Sequence, residues 1–427
     1  MKHLIKPFLL ICITIIISSC NSGKDGGQKI ILTNSSSVDL TDKAITVKKD
    51  KLTVKDETLY PIIKNEAGEE IPSQLEDIDG DGSWDNIFFV INLAANEKAS
   101  LDLTWSKEKP EYKKRTNVRF GKRESKDDIV NPQTSEVLYA NKVHKALGYQ
   151  PYQTDGPMWE NDKCGFRHYF DGRNANDYYG KKVAYITPDT VGIGPNGEVL
   201  DNYHVMADWG RDVLSVGNSV GIGGFGLIVG DSIARLGITN DDTLNNIEKS
   251  TFKILKNGAV RSIMNFDYEN WKVADRVYQV HEKTKIWPGM YAYKNKVQIK
   301  GLQGDETLLV GLVNRDTDED LVELPVSDKF IVLYTHDKQT YDKTWYLGLA
   351  LILPKDAYLG YGEAPEETAI ATTYYAKMKI EDDTPLSYYA AGCWELSDPQ
   401  FTDSLYFENY IVNLAEQLGA EVSVDVK

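Results

Sequence analysis

The sequence predicts an all-β protein: a large antiparallel β-sandwich, preceded by a small N-terminal β unit and followed by a C-terminal helix. Short runs rich in Val, Ile, Tyr and Thr recur between turn residues along most of the chain. Helical periodicity stays weak until the C-terminus. Tyr (25) outnumbers Phe (12), and aromatic residues with a polar tip suit strands as well as sugar-binding surfaces. These three observations favour stacked sheets over helical bundles.

The N-terminal unit is predicted to comprise residues 30–106. Turn residues such as Asn34-Ser35 and the acidic run 79–82 separate its β-type segments. The predicted strands are residues 29–33, 44–47, 59–63, 87–93 and 99–105. Residues 107–135 follow, and their charge-rich stretches KEKPEYKKR and GKRESKDD predict an exposed connection.

The main sandwich is predicted to comprise residues 136–427, including the helix. Its predicted strands are residues 183–187, 225–229, 260–268, 273–285, 296–302, 307–313, 329–334 and 344–353. In DRVYQVH, strand geometry places Arg276, Tyr278 and Val280 on one face. Near the C-terminus, apolar residues recur at helical spacing, with Thr402 or Asp403 as the N-cap and Gly419 as the stop. The recurring residues are Phe407, Ile411, Leu414 and Leu418.

Composition limits the partners. Hydrophobic residues are 41% and charged residues 26%, which are ordinary values for a globular chain with a sizeable core. The net charge of −16 argues against non-specific binding of nucleic acid or of anionic membrane surfaces. An anionic small substrate remains compatible with this charge, because it needs only a local basic pocket.

The first residues are predicted to be a targeting signal. A basic start with Lys2 and Lys6 precedes the apolar run FLLICITIII, which has the length of a signal peptide. Small residues then lead to Cys20, as in a bacterial lipobox. We therefore expect residues 1–19 to be a signal peptide and Cys20 to carry a lipid, with residues 20–29 as a tether. The chain would be lipid-anchored to the cell envelope, at the outer membrane or in the periplasm, and would meet the membrane only through this anchor.

Of the four cysteines, Cys12 lies in the predicted signal peptide and Cys20 is the predicted lipidation site. The other two are Cys164 and Cys393. They could pair in an oxidising compartment, but pairing cannot be deduced from spacing. No Cys/His cluster has the spacing of a zinc site, and we expect no required cofactor.

The segment DIDGDGSWD resembles a calcium-binding loop. Asp77, Asp79 and Asp81 take loop positions 1, 3 and 5, and Asp85 takes position 9. Position 12 is Phe88 instead of the bidentate Glu. The alternatives are a structural calcium site and an acidic turn between two strands.

A basic and aromatic segment extends from Trp159 to residue 174. Within an acidic chain it brings together Lys163, Arg167, His168, Tyr169 and Arg173. If residues 165–170 form a strand, Arg167 and Tyr169 share one face and His168 takes the other. The segment could equally be an exposed strand with solvated cations.

The second candidate segment is YHVMADWGRD, residues 203–212, followed by a glycine-rich run. It clusters Tyr203, Trp209 and Arg211 around His204, which favours a functional histidine as much as a structural one. The glycine run GNSVGIGGFG lacks the G-K-[ST] ending of a phosphate loop. It more simply allows close backbone approach or a bent strand.

Four stretches together resemble a Bacteroidota family of polysaccharide-utilisation loci, domain-of-unknown-function family 4861. They are PSQLEDIDGDGSWDNIFFV, GPMWENDKCGFRHYFDGRNANDYYGKK, YHVMADWGRDVLSVGNSVGIGGFGL and AGCWELSDPQF. The resemblance implies an envelope lipoprotein that handles oligosaccharides. Part of the family is linked to ulvan breakdown, as a dehydratase acting on a non-reducing-end uronic acid. A galactose-mutarotase-like supersandwich is the expected form of the main domain.

Elimination of water across C4–C5 of a hexuronate requires a base for the C5 proton, a cation for the carboxylate and an acid for the departing 4-hydroxyl. His204 or His168 is the expected base, and Tyr169 or Tyr203 the expected acid. The expected substrate-binding residues, including two tryptophans that would stack on sugar rings, are Lys163, Arg167, Arg173, Arg211, Trp159 and Trp209.

Two alternatives stay open. A polysaccharide lyase would use the same C5 abstraction with a glycosidic oxygen as the leaving group. A surface glycan-binding lipoprotein would bind through its basic and aromatic residues and perform no chemistry.

Overall fold

The computed structural model describes residues 27–427, and these residues form antiparallel strands with little helix. The all-β prediction and the C-terminal helix are confirmed. The predicted signal peptide, Cys12 and Cys20 lie outside the described residues. Within residues 27–427, neither helix has the length and apolar character that a membrane crossing requires.

The N-terminal unit contains all five strands predicted for it. Its strands are β1 (Gln28–Asn34), β2 (Leu40–Lys48), β3 (Tyr60–Lys64), β4 (Glu70–Ile71), β5 (Ser73–Glu76), β6 (Asn86–Leu93) and β7 (Lys98–Ser106). Alternate residues of β1, Ile30 and Leu32, point into a core of their own with Leu101 and Leu103 of β7. The unit therefore has a hydrophobic core separate from that of the main sandwich.

The sheet that carries the candidate site is built from the next part of the chain. The elements of this part are β8 (Thr116–Arg119), β9 (Gly121–Lys122), β10 (Asn131–Pro132), β11 (Ser135–Tyr139), the short helix α1 (His144–Leu147), β12 (Met158–Asn161), β13 (Gly165–His168), β14 (Asn176–Lys181) and β15 (Gly210–Asp212). Five of these strands form one sheet in the order β15-β14-β13-β12-β8. We call it the site sheet.

Two sequence-based expectations are wrong in this region. Residues 107–135 are predicted to be an exposed connection, but only part of this segment is exposed. Its strand β8 is fully buried and pairs with β12. Val118 of β8 and the adjacent Phe120 belong to the core despite their charged neighbours in sequence. The predicted strand 183–187 is absent, and those residues belong to an irregular segment, 182–209, that covers one face of the site sheet.

The remaining strands follow from the glycine-rich segment to the C-terminus. They are β16 (Phe225–Val229), β17 (Ser232–Arg235), β18 (Ile247–Asn257), β19 (Ser262–Val273), β20 (Arg276–Ile286), β21 (Ala292–Lys300), β22 (Glu306–Val313), β23 (Val322–Pro325), β24 (Phe330–Asp337), β25 (Leu347–Pro354), β26 (Tyr358–Glu363), β27 (Thr373–Lys379), β28 (Leu386–Trp394), the helix α2 (Ser404–Gly419) and β29 (Val422–Val426). In β20 the predicted faces are confirmed, since Tyr278 and Val280 are buried while Val277 is exposed.

The main sandwich has a nine-stranded layer in the order β11-β18-β19-β20-β21-β28-β25-β24-β23. The site sheet and a five-stranded sheet, β17-β16-β22-β27-β26, share one continuous core with it. Trp159 and Phe166 of the site sheet meet Tyr293 of the nine-stranded layer at ring-centroid distances of 5.3 and 4.7 Å. One face of the site sheet is therefore apolar and packed, which leaves the opposite face for polar residues.

Helix α2 begins as predicted, with Asp403 accepting hydrogen bonds from the backbone N–H groups of Leu405 and Tyr406. Its apolar stripe is buried at Phe407, Ile411 and Leu414. The chain then returns to the N-terminal unit, where β29 pairs antiparallel with β1. The N-terminal unit is thus completed by the last residues of the chain.

Candidate functional site

The candidate site lies on the polar face of the site sheet, beneath residues 182–209. Strand alternation directs Arg167 of β13, Asp177 and Tyr179 of β14 and Asp212 of β15 to this face. The register places Arg167 opposite Asp177, and Tyr179 opposite Asp212. The predicted sharing of a face by Arg167 and Tyr169 is confirmed by a 2.6 Å hydrogen bond from the guanidinium to the phenol oxygen.

Arg167 is the centre of this cluster and is 1% exposed. Its Nη2 donates to Asp177 and, at 3.0 Å, to Asp212, and its Nη1 lies 3.5 Å from Asp155. A buried cation surrounded by three carboxylates is fully compensated. Arg167 is therefore held as a structural cation. The expectation that it binds a substrate carboxylate is wrong, because protein carboxylates already engage its guanidinium.

Tyrosine rings enclose the same guanidinium. The ring centroids of Tyr169, Tyr179 and Tyr203 lie 4.3, 5.2 and 5.1 Å from its central carbon. Tyr169 also donates a 2.8 Å hydrogen bond to Asp177. Burial raises the pKa of Tyr169 well above its usual value, so its proton is held tightly inside the cluster.

His204 is the group of this cluster that reaches solvent, with 37% of its side chain exposed. Its Nδ1 lies 3.5 Å from Oδ2 of Asp212, and its ring packs on Tyr203 and Tyr341 at 4.6 and 5.6 Å between centroids. Burial, and then the charge of Arg167, lower the pKa of His204 below its usual value. The imidazole is consequently neutral at neutral pH and has a nitrogen able to accept a proton.

Asp212 connects His204 to the buried cluster. It is fully buried, and burial together with the neighbouring charge of Asp177 raises its pKa well above the usual value for a carboxyl group. Its Oδ1 accepts a 3.3 Å hydrogen bond from the backbone N–H of Leu214. The carboxyl group is thus fixed in place next to the imidazole.

Half-buried side chains border His204 on its open side. Arg211 has its guanidinium carbon 5.9 Å from the ring of Tyr341 and 5.6 Å from that of Trp345, and its Nε donates to the backbone oxygen of Asp212. The phenol of Tyr203 donates a 2.9 Å hydrogen bond to Asp201. A partly exposed arginine therefore shares Tyr341 with the histidine.

Arg173 lies on the other side of Arg167. It makes hydrogen bonds of 2.6–3.0 Å to the buried Asp171 and an ion pair of 3.2 Å to Asp155, and its guanidinium carbon is 3.8 Å from the ring centroid of Tyr169. His144 approaches Asp171 at 3.4 Å. Like Arg167, Arg173 is already compensated by carboxylates.

His168 is not brought to this site. It is 2% exposed on the apolar face of the site sheet, where its ring packs 4.4 Å from Phe266. Its Nδ1 is 2.8 Å from Asn176 Oδ1, and its Nε2 is 3.3 Å from the phenol of Tyr268. His168 is a hydrogen-bonded core histidine and lies outside the cluster around Arg167, so its expected role as a base is wrong.

Three other predicted binding residues are also placed differently from the expectation. Trp159 is 1% exposed and stacks on Phe166 in the core. Trp209 is buried against Tyr179. Lys163 is exposed in the turn between β12 and β13, where its Nζ lies 5.6 Å from the ring of Tyr291. Neither tryptophan presents a free face to a sugar ring, and Lys163 contacts none of the cluster around Arg167.

The acidic loop brings Asp77, Asp79 and Asp85 together, with one carboxylate oxygen of each within 4.8 Å of the others. Asp81 does not join this group. The loop is also held by its own backbone: Gly80 and Gly82 donate to Asp77, and Ile78 donates to Asp85. Calcium binding stays a prediction.

Cys164 and Cys393 are both buried and free. Burial raises the pKa of both thiols well above the usual value, so each is held as a protonated thiol. The disulfide that the sequence left open is not formed in this structure.

Sequence reasoning missed Asp177, Asp212, Tyr341 and Trp345. Asp212 stands inside the segment 203–212, and Asp177 lies three residues beyond the segment that ends at 174. The register between strands, which the sequence does not show, brings both to Arg167. Tyr341 and Trp345 follow β24, far along the chain, and carry no local signal.

Comparisons with known proteins found a family match and a relative. Residues 32–424 match the family described as Domain of unknown function (DUF4861). "Uncharacterized protein P7" from Formosa agariphila is 23% identical over 448 aligned residues, which cover all of both chains.

Two solved structures from Enterococcus faecalis are similar over 94% of this chain. They are a protein in the Glycosyl Hydrolase Family 38, with a TM-score of 0.48 and 9% identity, and an alpha-mannosidase, with 0.47 and 10%. The chain spans about half the length of each, 47% and 46%. The family match, in contrast, extends over nearly every described residue, and the chain therefore belongs to the DUF4861 family.

Proposed function

We propose that this protein is a dehydratase that removes water across C4–C5 of a non-reducing-end uronic acid in ulvan-type sulfated oligosaccharides. The observation that carries the proposal is the partly exposed, neutral His204, fixed beside the buried carboxyl group of Asp212. A neutral imidazole backed by a carboxyl group is a suitable general base near neutral pH. The resemblance of its sequence segments to ulvan-linked members of the family supports the choice of substrate.

His204 is the proposed base for the C5 proton. With Nδ1 directed towards Asp212, Nε2 is the nitrogen that accepts the proton. A C5 proton is acidified by the carboxylate on the same carbon, but removing it moves negative charge onto that carboxylate. The reaction therefore needs a nearby cation as well as a base.

Arg211 is the proposed partner of the substrate carboxylate. Arg167 and Arg173 are each engaged by two or more protein carboxylates, whereas the guanidinium of Arg211 donates to a backbone oxygen and otherwise faces Tyr341 and Trp345. An arginine can bind a carboxylate through two parallel hydrogen bonds. Arg211 and His204 both border Tyr341, and this proximity supports their assignment as cation and base.

A tyrosine is the proposed acid for the departing 4-hydroxyl group. Tyr203 and Tyr341 both touch the His204 ring, and burial raises the pKa of each above the usual value for a phenol. Each phenol is thus protonated before the reaction, as a general acid must be. His204 takes the C5 proton, and the electrons of the C5–H bond form the C4=C5 double bond. The C4–O bond breaks, and the departing hydroxyl takes the phenol proton and leaves as water.

The test uses residues 21–427, which contain both hydrophobic cores, and ulvan oligosaccharides with a saturated uronic acid at the non-reducing end. Absorbance of the unsaturated uronate and product mass are followed together. We expect absorbance to rise with the loss of one water per chain. His204→Ala should lower the rate by roughly 10²–10⁴-fold, the usual contribution of a general base.

His281→Ala is the matched control. His281 lies on β20, is partly exposed and pairs with Asp267 of β19, outside the cluster around Arg167. The variant should retain the wild-type rate. Rising absorbance with shorter chains would establish a lyase instead of a dehydratase. Binding without turnover across several uronate glycans would reject an enzyme and favour a glycan-binding protein.

A further inference from the structure

A second basic site lies away from His204, in a cavity of about 480 Å³ between the N-terminal unit and the main sandwich. Strand β2, the ends of β20 and β21, and helix α2 form its walls. Its lining includes Lys285, Lys294, Trp287 and Tyr389 and shares no residue with the cluster around Arg167. It is of a size suited to a small ligand or one to two sugar rings.

Lysines face each other across the two strands beside this cavity. The register pairs Lys285 with Lys294, and Lys283 with Lys296. Like charges directly opposite each other destabilise a sheet. On the neighbouring strands β18 and β19, by contrast, Lys249 meets Glu269.

The cavity lysines Lys285 and Lys294 make no hydrogen bond or ion pair with a carboxylate within residues 27–427. The charged groups that act most strongly on Lys285 are Arg261, Glu76, Lys283 and Lys294, and three of these four are cations. Burial and the neighbouring cations lower the pKa of Lys285 to about 8. Burial, Lys296 and Arg261 lower the pKa of Lys294 in the same direction. A bound anion would compensate both lysines.

The other charged groups of the lining are already occupied. Asp42, the carboxylate in the lining, accepts two hydrogen bonds from Arg115 at 2.7 and 2.8 Å. Arg261 is held by both carboxylate oxygens of Glu76. Lys43 donates to the backbone oxygens of residues 417 and 420 at the end of α2. The lining cations without a carboxylate partner among residues 27–427 are therefore Lys43, Lys285 and Lys294, and of these only Lys43 is held by backbone oxygens.

Aromatic rings stand beside these two lysines. The Nζ of Lys294 lies 5.4 Å from the ring centroid of Tyr389, and the rings of Tyr389 and Trp287 meet edge to face at 6.1 Å. Tyr389 and Trp287 are only 8% and 7% exposed, and the part of each that lines the cavity gives the two lysines an apolar neighbour for an anionic sugar. A concave wall suits such a ligand better than it suits a flat lipid surface.

We propose that this cavity is a second carbohydrate subsite, in which Lys285 and Lys294 bind a sulfate or carboxylate group of an anionic glycan against Tyr389 and Trp287. The glycan is bound there without being transformed, so the subsite does not depend on the dehydratase proposal. It would hold a polyanionic chain on a protein whose net charge of −16 otherwise repels it.

The test measures binding of a chondroitin sulfate hexasaccharide and of its unsulfated counterpart by calorimetry at low ionic strength. Wild-type protein, residues 21–427, should bind the sulfated form more tightly. Lys285→Gln with Lys294→Gln should raise its Kd about tenfold or more, since two charge-assisted hydrogen bonds are lost. The same double variant should leave His204-dependent turnover of a short substrate unchanged.

Lys343→Gln with Lys379→Gln is the control, because it makes the same charge change at exposed lysines that pair with Asp318 and Glu381. It should leave the Kd unchanged. The cavity variant removes like-charge repulsion, so it should fold, and thermal unfolding followed by circular dichroism checks this. No binding by wild-type protein, equal Kd values for the wild type and the cavity variant, or binding only to phosphatidylglycerol vesicles would each overturn the proposal.

Discussion

At the scale of single residues, Asp212 contacts both the buried cluster around Arg167 and the partly exposed His204. Towards the interior it shares the guanidinium of Arg167 with Asp177, and towards solvent it lies 3.5 Å from His204. Burial, and then the charge of Asp177 on the same cation, raise the pKa of Asp212. The orientation of His204 thus rests on a buried ionic cluster.

Asp212→Asn separates these two roles. At neutral pH the stability of the variant should equal or exceed that of the wild type, because repulsion between Asp177 and Asp212 is removed while the hydrogen bond to Leu214 can remain. Turnover should fall by about tenfold or more, because His204 loses its carboxyl partner. Urea unfolding and initial rates measure the two effects, and an unstable variant would contradict this account of the cluster.

The pH dependence of the reaction belongs to His204. Its pKa is lowered by burial and by Arg167, so the neutral base persists below the usual histidine pKa of about 6.5. As pH falls, kcat/KM should therefore decrease with a midpoint below 6.5, and the decrease reflects protonation of the free base. A midpoint above 6.5 in the profile of kcat/KM would show that another group controls this limb.

At the scale of elements, α2 shows how local chemistry and tertiary packing combine. The capping side chain of Asp403 was visible in the sequence, and the buried stripe of α2 contacts the sandwich as its periodicity predicted. The pairing of β29 with β1 was not visible, because strands brought together from the two ends of a chain share no local pattern.

Asp403→Ala should destabilise the protein by about 1 kcal/mol, since two backbone N–H groups at the start of α2 lose their acceptor. Glu416→Ala is the comparison, because this residue is exposed in the last turns of the same helix and also loses one negative charge. Urea unfolding should separate the two variants. Equal free energies of unfolding would mean that packing alone sets the helix boundary.

At the scale of the whole molecule, residues 27–427 contain a main hydrophobic core and a separate N-terminal core, and neither is closed by a disulfide. The main core holds Cys164 and Cys393 as protonated thiols, 0% exposed. The N-terminal core is separate and is completed by β29. Folding therefore rests on packing of strands that are distant in sequence.

The cysteines provide a test of this arrangement. In residues 21–427 both thiols should resist a thiol reagent in the native state and react in guanidinium chloride, to two thiols per chain. A reductant should leave the thermal unfolding temperature unchanged. Fewer than two reactive thiols after denaturation without reductant would show that the pair is oxidised.

The sequence by itself determined the all-β class, five of the seven strands of the N-terminal unit, the C-terminal helix with its cap, and the shared face of Arg167 and Tyr169. These features follow from periodicity and turn chemistry, which act over a few residues. The membership of the family was likewise carried by contiguous segments.

Only the tertiary structure decided which polar residues meet. It placed His168 in the core and His204 at an open rim, although both are histidines among aromatic residues. It compensated Arg167 with carboxylates from three separate segments, and it brought Tyr341 to His204 from far along the chain. The physical reason is that burial and charge compensation depend on neighbours across sheets, and no local pattern in the chain records them.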